Sequence, residues 1–264
     1  MRLRRHLCWA CVVAALLALT LSFPAYADRL QDILDKGVVR IGVPIDVPPF
    51  GFTDENQEPV GLDVDLAGMV AKELGVELEL QQITGINRIP FLLTDKVDIV
   101  IAVMGATPER ARQIMFTSPY ASLYIGVFGP EDLQVSSAEE IGDYTVGVPR
   151  GTTQDISLTE MAPDADIVRF EDDATTAAAF LSGQVDLFGT ANIVAQDMVK
   201  KQDGLDLVNK FVIRNSPAHM GVRQGEFNLL RWLDTFIFYS RMNGNLEALH
   251  QTWMGESMQP LPSF

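Results

Sequence analysis

"VIAVMGATPERAR", residues 100–112, runs an apolar, strand-like stretch directly into a helix start. Thr107 is a capping residue, and Pro108 suits the first helical position, where its missing N–H would have no partner anyway. Arg110 then falls in the first turn, an unfavourable place for a cation because the helix dipole is already positive there. Its presence predicts an anion. The same strand-then-helix order recurs along the chain. Apolar runs bounded by Gly, Pro or Asp lie at 38–43, 76–83, 97–103, 124–129, 145–148, 166–170, 185–189 and 211–214, with helical patterns between most of them. One such pattern places Leu66, Met69, Val70 and Leu74 on one helix face behind Asp63 and Asp65 at the positive end. Alternation of this kind predicts an α/β fold, with parallel sheets covered by helices on both faces.

The first 27 residues read as a secretory signal peptide. Arg2, Arg4 and Arg5 precede an uncharged run from Leu7 to Leu21, and "AYA" at 25–27 places small residues where a signal peptidase cuts, predicting cleavage after Ala27. The run is shorter than the roughly 20 residues a spanning helix needs. Both cysteines, Cys8 and Cys11, fall within this segment, so disulfides would not stabilise the exported chain. Loss of three arginines takes the net charge from −15 to −18, which argues against nucleic acid or an anionic membrane surface as partner. The remaining 237 residues suffice for two lobes with separate cores.

In open α/β sheets ligands sit beyond the carboxyl ends of strands, where helix N-termini gather. Four helix starts follow strands here, at Asp63, Asn87, Thr107 and Thr152. Around the last, Gly151 permits close backbone approach, and the amides of Thr152 and Thr153 would be open to an anion. An ordinary capped helix has the same pattern. Arg88 repeats the peculiarity of Arg110, one residue after the cap at Asn87; a solvated face or an ion pair is the competing explanation for both arginines. Of the three histidines, His6 leaves with the leader, while His219 and His250 lack metal-ligand spacing. No metal, cofactor or catalytic set is expected.

"LQDILDKGVVRIGVPIDVPPFGF", "GLDVDLAGMVAKELGV", "NRIPFLLTDKVDIVIAVMGATPERARQIMFTSPY", "TVGVPRGTTQD" and "LSGQVDLF" together resemble the polar amino-acid-binding branch of periplasmic solute-binding proteins of ABC importers, the bacterial extracellular solute-binding family 3. The resemblance runs from about Leu30 to Gly255. It implies a two-lobed periplasmic binding protein fold of type II, with two crossover strands and the ligand in the cleft. Lobe one would comprise residues 28–122 plus 217–264, and lobe two residues 123–216. It further implies a periplasmic, monomeric subunit that closes on its solute and delivers it to an inner-membrane permease. By the same resemblance Arg110 grips the ligand's carboxylate, and Gly151, Thr152 and Thr153 offer backbone amides from the other lobe. Arg88 reaches a second carboxylate, and Phe50 and Phe52 supply the aromatic cleft wall. Asp63 and Asp65 are helix-start residues.

Two positions depart from the family. Where it holds an α-ammonium with a Ser or Thr and an Asp, this chain has Gly105 and Ala191. A buried unpaired ammonium costs several kcal/mol, so the departures favour a small organic anion with one or two carboxylates, held by Arg110, Arg88 and the Gly151 turn. Asn192 and Asp46 are the candidates to replace the missing groups. Val47 stands where an aromatic often stacks. Two other roles are open to this fold: a cyclohexadienyl dehydratase, with Asp155 near the position of its general acid, and a ligand-sensing module. The chain stops at Phe264 without a signalling domain, favouring a freestanding binding subunit, with a loose "MQPLPSF" tail.

Overall fold

The computed structural model describes residues 28–261. The leader, Cys8, Cys11, the cleavage point after Ala27 and the last three residues lie outside the described residues. The strands in chain order are β1 (Val38–Val43), β2 (Asp46–Val47), β3 (Gly51–Thr53), β4 (Pro59–Val60), β5 (Glu77–Gln82), β6 (Ile99–Gly105), β7 (Ile114–Ala121), β8 (Tyr124–Gly129), β9 (Thr145–Pro149), β10 (Asp166–Phe170), β11 (Leu187–Ala191), β12 (Val208–Asn215) and β13 (Ala218–Arg223). They form two five-stranded sheets, β5-β1-β6-β13-β7 and β10-β9-β11-β8-β12, and a small sheet β2-β3-β4.

The sheets are mixed rather than wholly parallel. β1 runs parallel to β5 and β6, and β9 parallel to β10 and β11. However, β13 is antiparallel to β6 and β7, and β8 is antiparallel to β11 and β12. These reversals accompany the two passages of the chain between sheets, Ala121 to Tyr124 and Asn215 to Ala218. Ser216 N–H donates to Leu123 O at 3.0 Å, tying the passages side by side.

Strand pleating divides the side chains of β6 between two cores. Ile99 and Ile101 join Leu66, Val70, Met220 and Leu233 on one face, whereas Val100, Ala102 and Met104 join Ile83, Leu92 and Ile114 on the other. The helix Leu62–Leu74 carries the first of these groups, with Asp63 and Asp65 in its opening turn. In the second sheet Val127, Val146, Val148 and Leu187 face one core, while Phe128 and Phe188 face the other with Phe180. Burying both faces of each sheet leaves the strand ends as the place where the lobes can meet a ligand.

Asp63 is not a solvated helix-start residue. It is fully buried, accepts from Tyr120 Oη at 2.9 Å and from Val103 N–H at 3.1 Å, and burial pushes its carboxyl up to about 7. Val103 has φ +47°, a left-handed conformation that is strained for a β-branched residue. Its N–H is held jointly by Asp63 and Tyr120 Oη.

A carboxyl whose folded pKa exceeds its unfolded value near 4 binds its proton more tightly when folded, so its effect on stability worsens as pH rises from about 4 to 7. Asp63→Asn, whose carbonyl can take the Val103 N–H while its amide donates to Tyr120, avoids that charge. Its melting temperature relative to the parent should therefore be more favourable at pH 8 than at pH 5. The same difference at both pH values would show that Asp63 is not held in this way.

Candidate functional site

Arg110 sits as its local sequence requires. Thr107 Oγ1 accepts from Arg110 N–H at 3.2 Å, capping the helix Pro108–Ala111 with Pro108 in first place. Arg110 is only 6% exposed; its guanidinium bridges the two sheets but does not itself line the cavity between them. Its Nη1 donates to Gly105 O at 2.8 Å and to Thr153 Oγ1 at 3.1 Å, and Nη2 donates to Gly151 O at 3.2 Å. The first of these partners lies beside the first sheet, and the other two beside the second. Arg29, Arg40, Arg169 and Arg223 each pair with carboxylates. Among the described residues Arg110 and Arg88 pair with none. Burial, and then the Arg88 charge, lower Arg110 to about 9. A carboxylate placed here would be gripped by a planar fork in a water-poor setting.

Arg88 opens the helix Arg88–Leu93 behind Asn87, whose Oδ1 accepts from Thr84 N–H at 2.8 Å. Its Nη1 donates to Ala102 O at 2.8 Å and its Nε to Gly85 O at 3.2 Å. Burial lowers its pKa, with Asp173, Tyr120, Asp46 and Asp63 acting in the opposite direction. Arg88 lines a cavity between the sheets together with Asp46, Val47, Thr84, Val103, Thr152, Thr153, Gln154, Asp173, Thr190 and Ala191.

The Gly151 turn differs from the expected cradle. Gly151 has φ +72°, as a left-handed turn requires, but its N–H donates to Asp155 Oδ2 at 2.9 Å and is not open to a ligand. Thr152 caps the helix Thr153–Met161, and its hydroxyl donates to Pro149 O at 2.7 Å. The amides of Thr153 and Gln154, the first two of that helix, make no hydrogen bond within the described residues, and both residues line the cavity. The cradle thus loses Gly151 and gains Gln154, which the local pattern did not single out.

Three further expectations are corrected. Phe50 is fully buried in the core of the first lobe and does not line the cavity. Its neighbour Phe52 stands edge-on to Trp253 at 5.9 Å with Lys201 over its ring at 4.8 Å, again outside the cavity. Asn192 Oδ1 accepts from Tyr124 N–H at 3.0 Å, so it braces a crossover instead of replacing the carboxylate missing at Ala191. Gly105 packs closely against two hydroxyls: a Cβ there would crowd Ser216 Oγ, which would have to turn aside, and stand 3.2 Å from Thr153 Oγ1. The hydroxyl expected on residue 105 has its space taken by that of Ser216.

Asp46 lines the cavity, and facing it from the second lobe is Asp173, the first residue of the helix Asp173–Leu181. Asp173 N–H donates to Asp46 Oδ2 at 3.1 Å. Burial raises Asp46; burial and then the Asp46 charge raise Asp173 to about 7. Asp173 lies just beyond the strand "DIVRF" at 166–170, where the rule that marked the other four helix starts would have found it. Asp155, by contrast, has one oxygen on Arg169 Nε at 2.7 Å and the other on the Gly151 amide, and it does not line the cavity. A general acid aimed at the cleft is not available from it.

Comparison with known proteins agrees with this architecture. The profile of bacterial extracellular solute-binding proteins, family 3, matches residues 39–256. The L-cystine-binding protein TcyJ of Escherichia coli is 25% identical over 248 residues, covering 92% of this chain and 93% of its own. The cysteine-binding protein from Campylobacter jejuni has 30% identity and a TM-score of 0.81, covering 86% of this chain and 93% of that one. An ancestral amino acid-binding protein, a precursor of cyclohexadienyl dehydratase, shares 31% identity with a TM-score of 0.79, covering 85% and 99%. TcyJ and two further relatives, an ABC transporter glutamine-binding protein of Bacillus subtilis and a putative ABC transporter arginine-binding protein of Escherichia coli, are binding proteins by name. With the match spanning both sheets and the cleft between them, the chain belongs to the bacterial extracellular solute-binding proteins of family 3.

Proposed function

We propose that the cleft captures a small carboxylate-bearing solute on Arg110 and that lobe closure presents it to an inner-membrane ABC permease. One observation carries this reading: a buried guanidinium whose partners are all neutral oxygens, drawn from both sides of the cleft. The lobes divide as residues 28–122 plus 217–264 and 123–216, with hinges at the two tied crossovers. Cleavage after Ala27 releases a monomer into the periplasm. The relatives' ligands, cystine and cysteine among them, make an amino acid the first class to test, with N-substituted and amine-free acids beside it. The amides of Thr153 and Gln154 add donors from the second lobe, so a carboxylate gains its full set of contacts only when the lobes are shut. Ligand therefore shifts the balance by its differential affinity for the closed form.

Arg110→Ala should weaken binding of every carboxylate ligand at least 100-fold by calorimetry, in the range lost with a buried charge-assisted pair. The ligand-free melting temperature should hold or rise, because an uncompensated buried charge is removed. Undiminished affinity would remove Arg110 from the site. A second test concerns the space beside Gly105. Gly105→Ser should cost about 1–3 kcal/mol through overpacking against Ser216 and weaken ligand binding. Adding Ser216→Gly should recover both, since one hydroxyl then occupies the place of the other. If the double variant is no better than the single one, Ser216 does not fill that position.

A further inference from the structure

Phe52 and Asp65 do not line the cavity, yet a single tryptophan holds both in place. Trp253 stands edge-on to Phe52 at 5.9 Å, and its Nε1 donates to Asp65 Oδ2 at 2.8 Å. That bond ties the end of the helix Asn245–Met254 to the opening turn of the helix Leu62–Leu74. The next residue, Met254, ends its helix, and its carbonyl is one of those that a helix leaves without an intrahelical partner at its C-terminus. The first lobe thus offers an aromatic face and a helix-terminal carbonyl, two places that attract a cation.

Both places are filled from the second lobe. The helix Asn192–Lys201 ends in two lysines: Lys200 Nζ donates to Met254 O at 3.1 Å, and Lys201 Nζ lies 4.8 Å from the centre of the Phe52 ring. Asp197, one turn earlier, pairs with Lys201 at 2.8 Å and steadies it there. Lysines in the last turn of a helix suit its own dipole wherever they point. What distinguishes these two is that both reach across to the first lobe. At its other end the same helix is braced to a crossover, where Asn192 Oδ1 accepts from Tyr124 N–H, and Ile193 and Val194 pack into the core of the first lobe. The lysine tip lies about 13.5 Å further along, at 1.5 Å per residue. A rotation about the crossovers therefore disturbs the apolar base least and moves the tip most.

We propose that Lys200 and Lys201 are positioning residues for capture: on Met254 O and the Phe52 ring they form a latch that holds the lobes shut without touching the solute. This rests on the reading that the lobes close on a solute, and not on which residue grips it. A latch remote from the solute strengthens every ligand by the same factor, because apparent affinity scales with the population of the competent form. Selectivity stays with the cleft. The side chain of Lys201 is 55% exposed, so the factor is modest.

The test needs no ligand. The chain from Asp28 onward contains no cysteine, so Glu73→Cys in the first lobe and Asp164→Cys in the second, both at exposed positions, take a pair of spin labels whose separation follows the lobes. Gly85→Val supplies the open reference. A Cβ at residue 85 would stand 2.9 Å from Thr152 Cγ2, whose hydroxyl is fixed on Pro149 O, and 3.1 Å from Arg150 O, so a valine props the lobes apart. Lys201→Met keeps the side-chain length without the charge. It should move the distance distribution of the parent toward the open reference and raise the ratio of open to shut about threefold, the effect of one exposed cation–π contact. Lys201→Arg should restore the parent distribution, because a guanidinium also stacks on a ring. Phe52→Leu should match Lys201→Met, and the double variant should exceed neither. Should Phe52→Leu fail to fold, the two variants at Lys201 carry the comparison. A distribution that opens in Gly85→Val, but in Lys201→Met stays as in the parent or shifts toward the shut form, overturns the latch and leaves closure standing. A distribution unchanged even in Gly85→Val overturns the closure reading and the latch with it.

Discussion

Everything in the cleft depends on one buried guanidinium that has hydrogen bonds but no counter-charge. Arg110 reaches Gly105 O from the first lobe and Thr153 Oγ1 and Gly151 O from the second. Neutral oxygens satisfy its N–H groups geometrically, but they do not return the solvation energy a cation loses on burial. The charge that would do so must come from outside the chain. A helix N-terminus, whose dipole already repels a cation, makes the arrangement less favourable still. An ordinary protein would have removed this arginine or paired it, as this chain does for the buried Arg29 on Asp98.

The supports behind the site carry strain of their own. Val103 adopts a conformation unfavourable for its branched side chain, between the two carbonyls, Ala102 O and Gly105 O, that seat Arg88 and Arg110. Asp63 and Tyr120 hold its amide from within the core, and Asp63 is itself buried at a cost to its ionised form. Local irregularity in β6 is therefore fastened to the helix Leu62–Leu74 of that core face and not left to a loop. Rigid support of this kind fixes the two guanidiniums relative to each other, so that closure presents a preformed pair of charges.

What the sequence shows plainly is what depends on near neighbours. Thr107, Pro108 and Arg110 lie within four residues, so their cap and charge could be read directly, and the two-residue period of β6 separates its two faces. Strand direction leaves no such mark, so the alternation that implies parallel sheets does not show β8 as antiparallel, and it marks no strand at β13. Contacts between distant residues were equally hidden. Asp173 lies in "EDDATT", where Asp172 and Thr175 form a capping box and the acids look like a solvated helix start. Only folding brings it to Asp46, 127 residues away. Gly105 looked like a lost hydroxyl because Ser216, which occupies its space, is remote in sequence. Phe50 belongs to the aromatic stretch of its family, but burial and not residue type decides whether such a ring faces a ligand.

The same charges set the terms of closure. Bonds across the cleft, from Arg110 to Thr153 and Gly151 and from Asp173 to Asp46, draw the lobes together. Asp46 and Asp173 push in the opposite sense, because shutting the cleft brings these two like charges together in a medium of low dielectric. The two effects oppose each other. Moving a two-state equilibrium from 1:99 to 99:1 takes about 5.5 kcal/mol of differential affinity. Hydrogen bonds from two donors of Arg110 to a carboxylate are charge-assisted contacts worth roughly 1.5–3 kcal/mol each. Together with the second-lobe amides of Thr153 and Gln154, they reach that figure in the shut cleft. An uncharged solute of the same shape would leave the buried Arg110 charge uncompensated, so charge complementarity controls closure as well as choice of ligand.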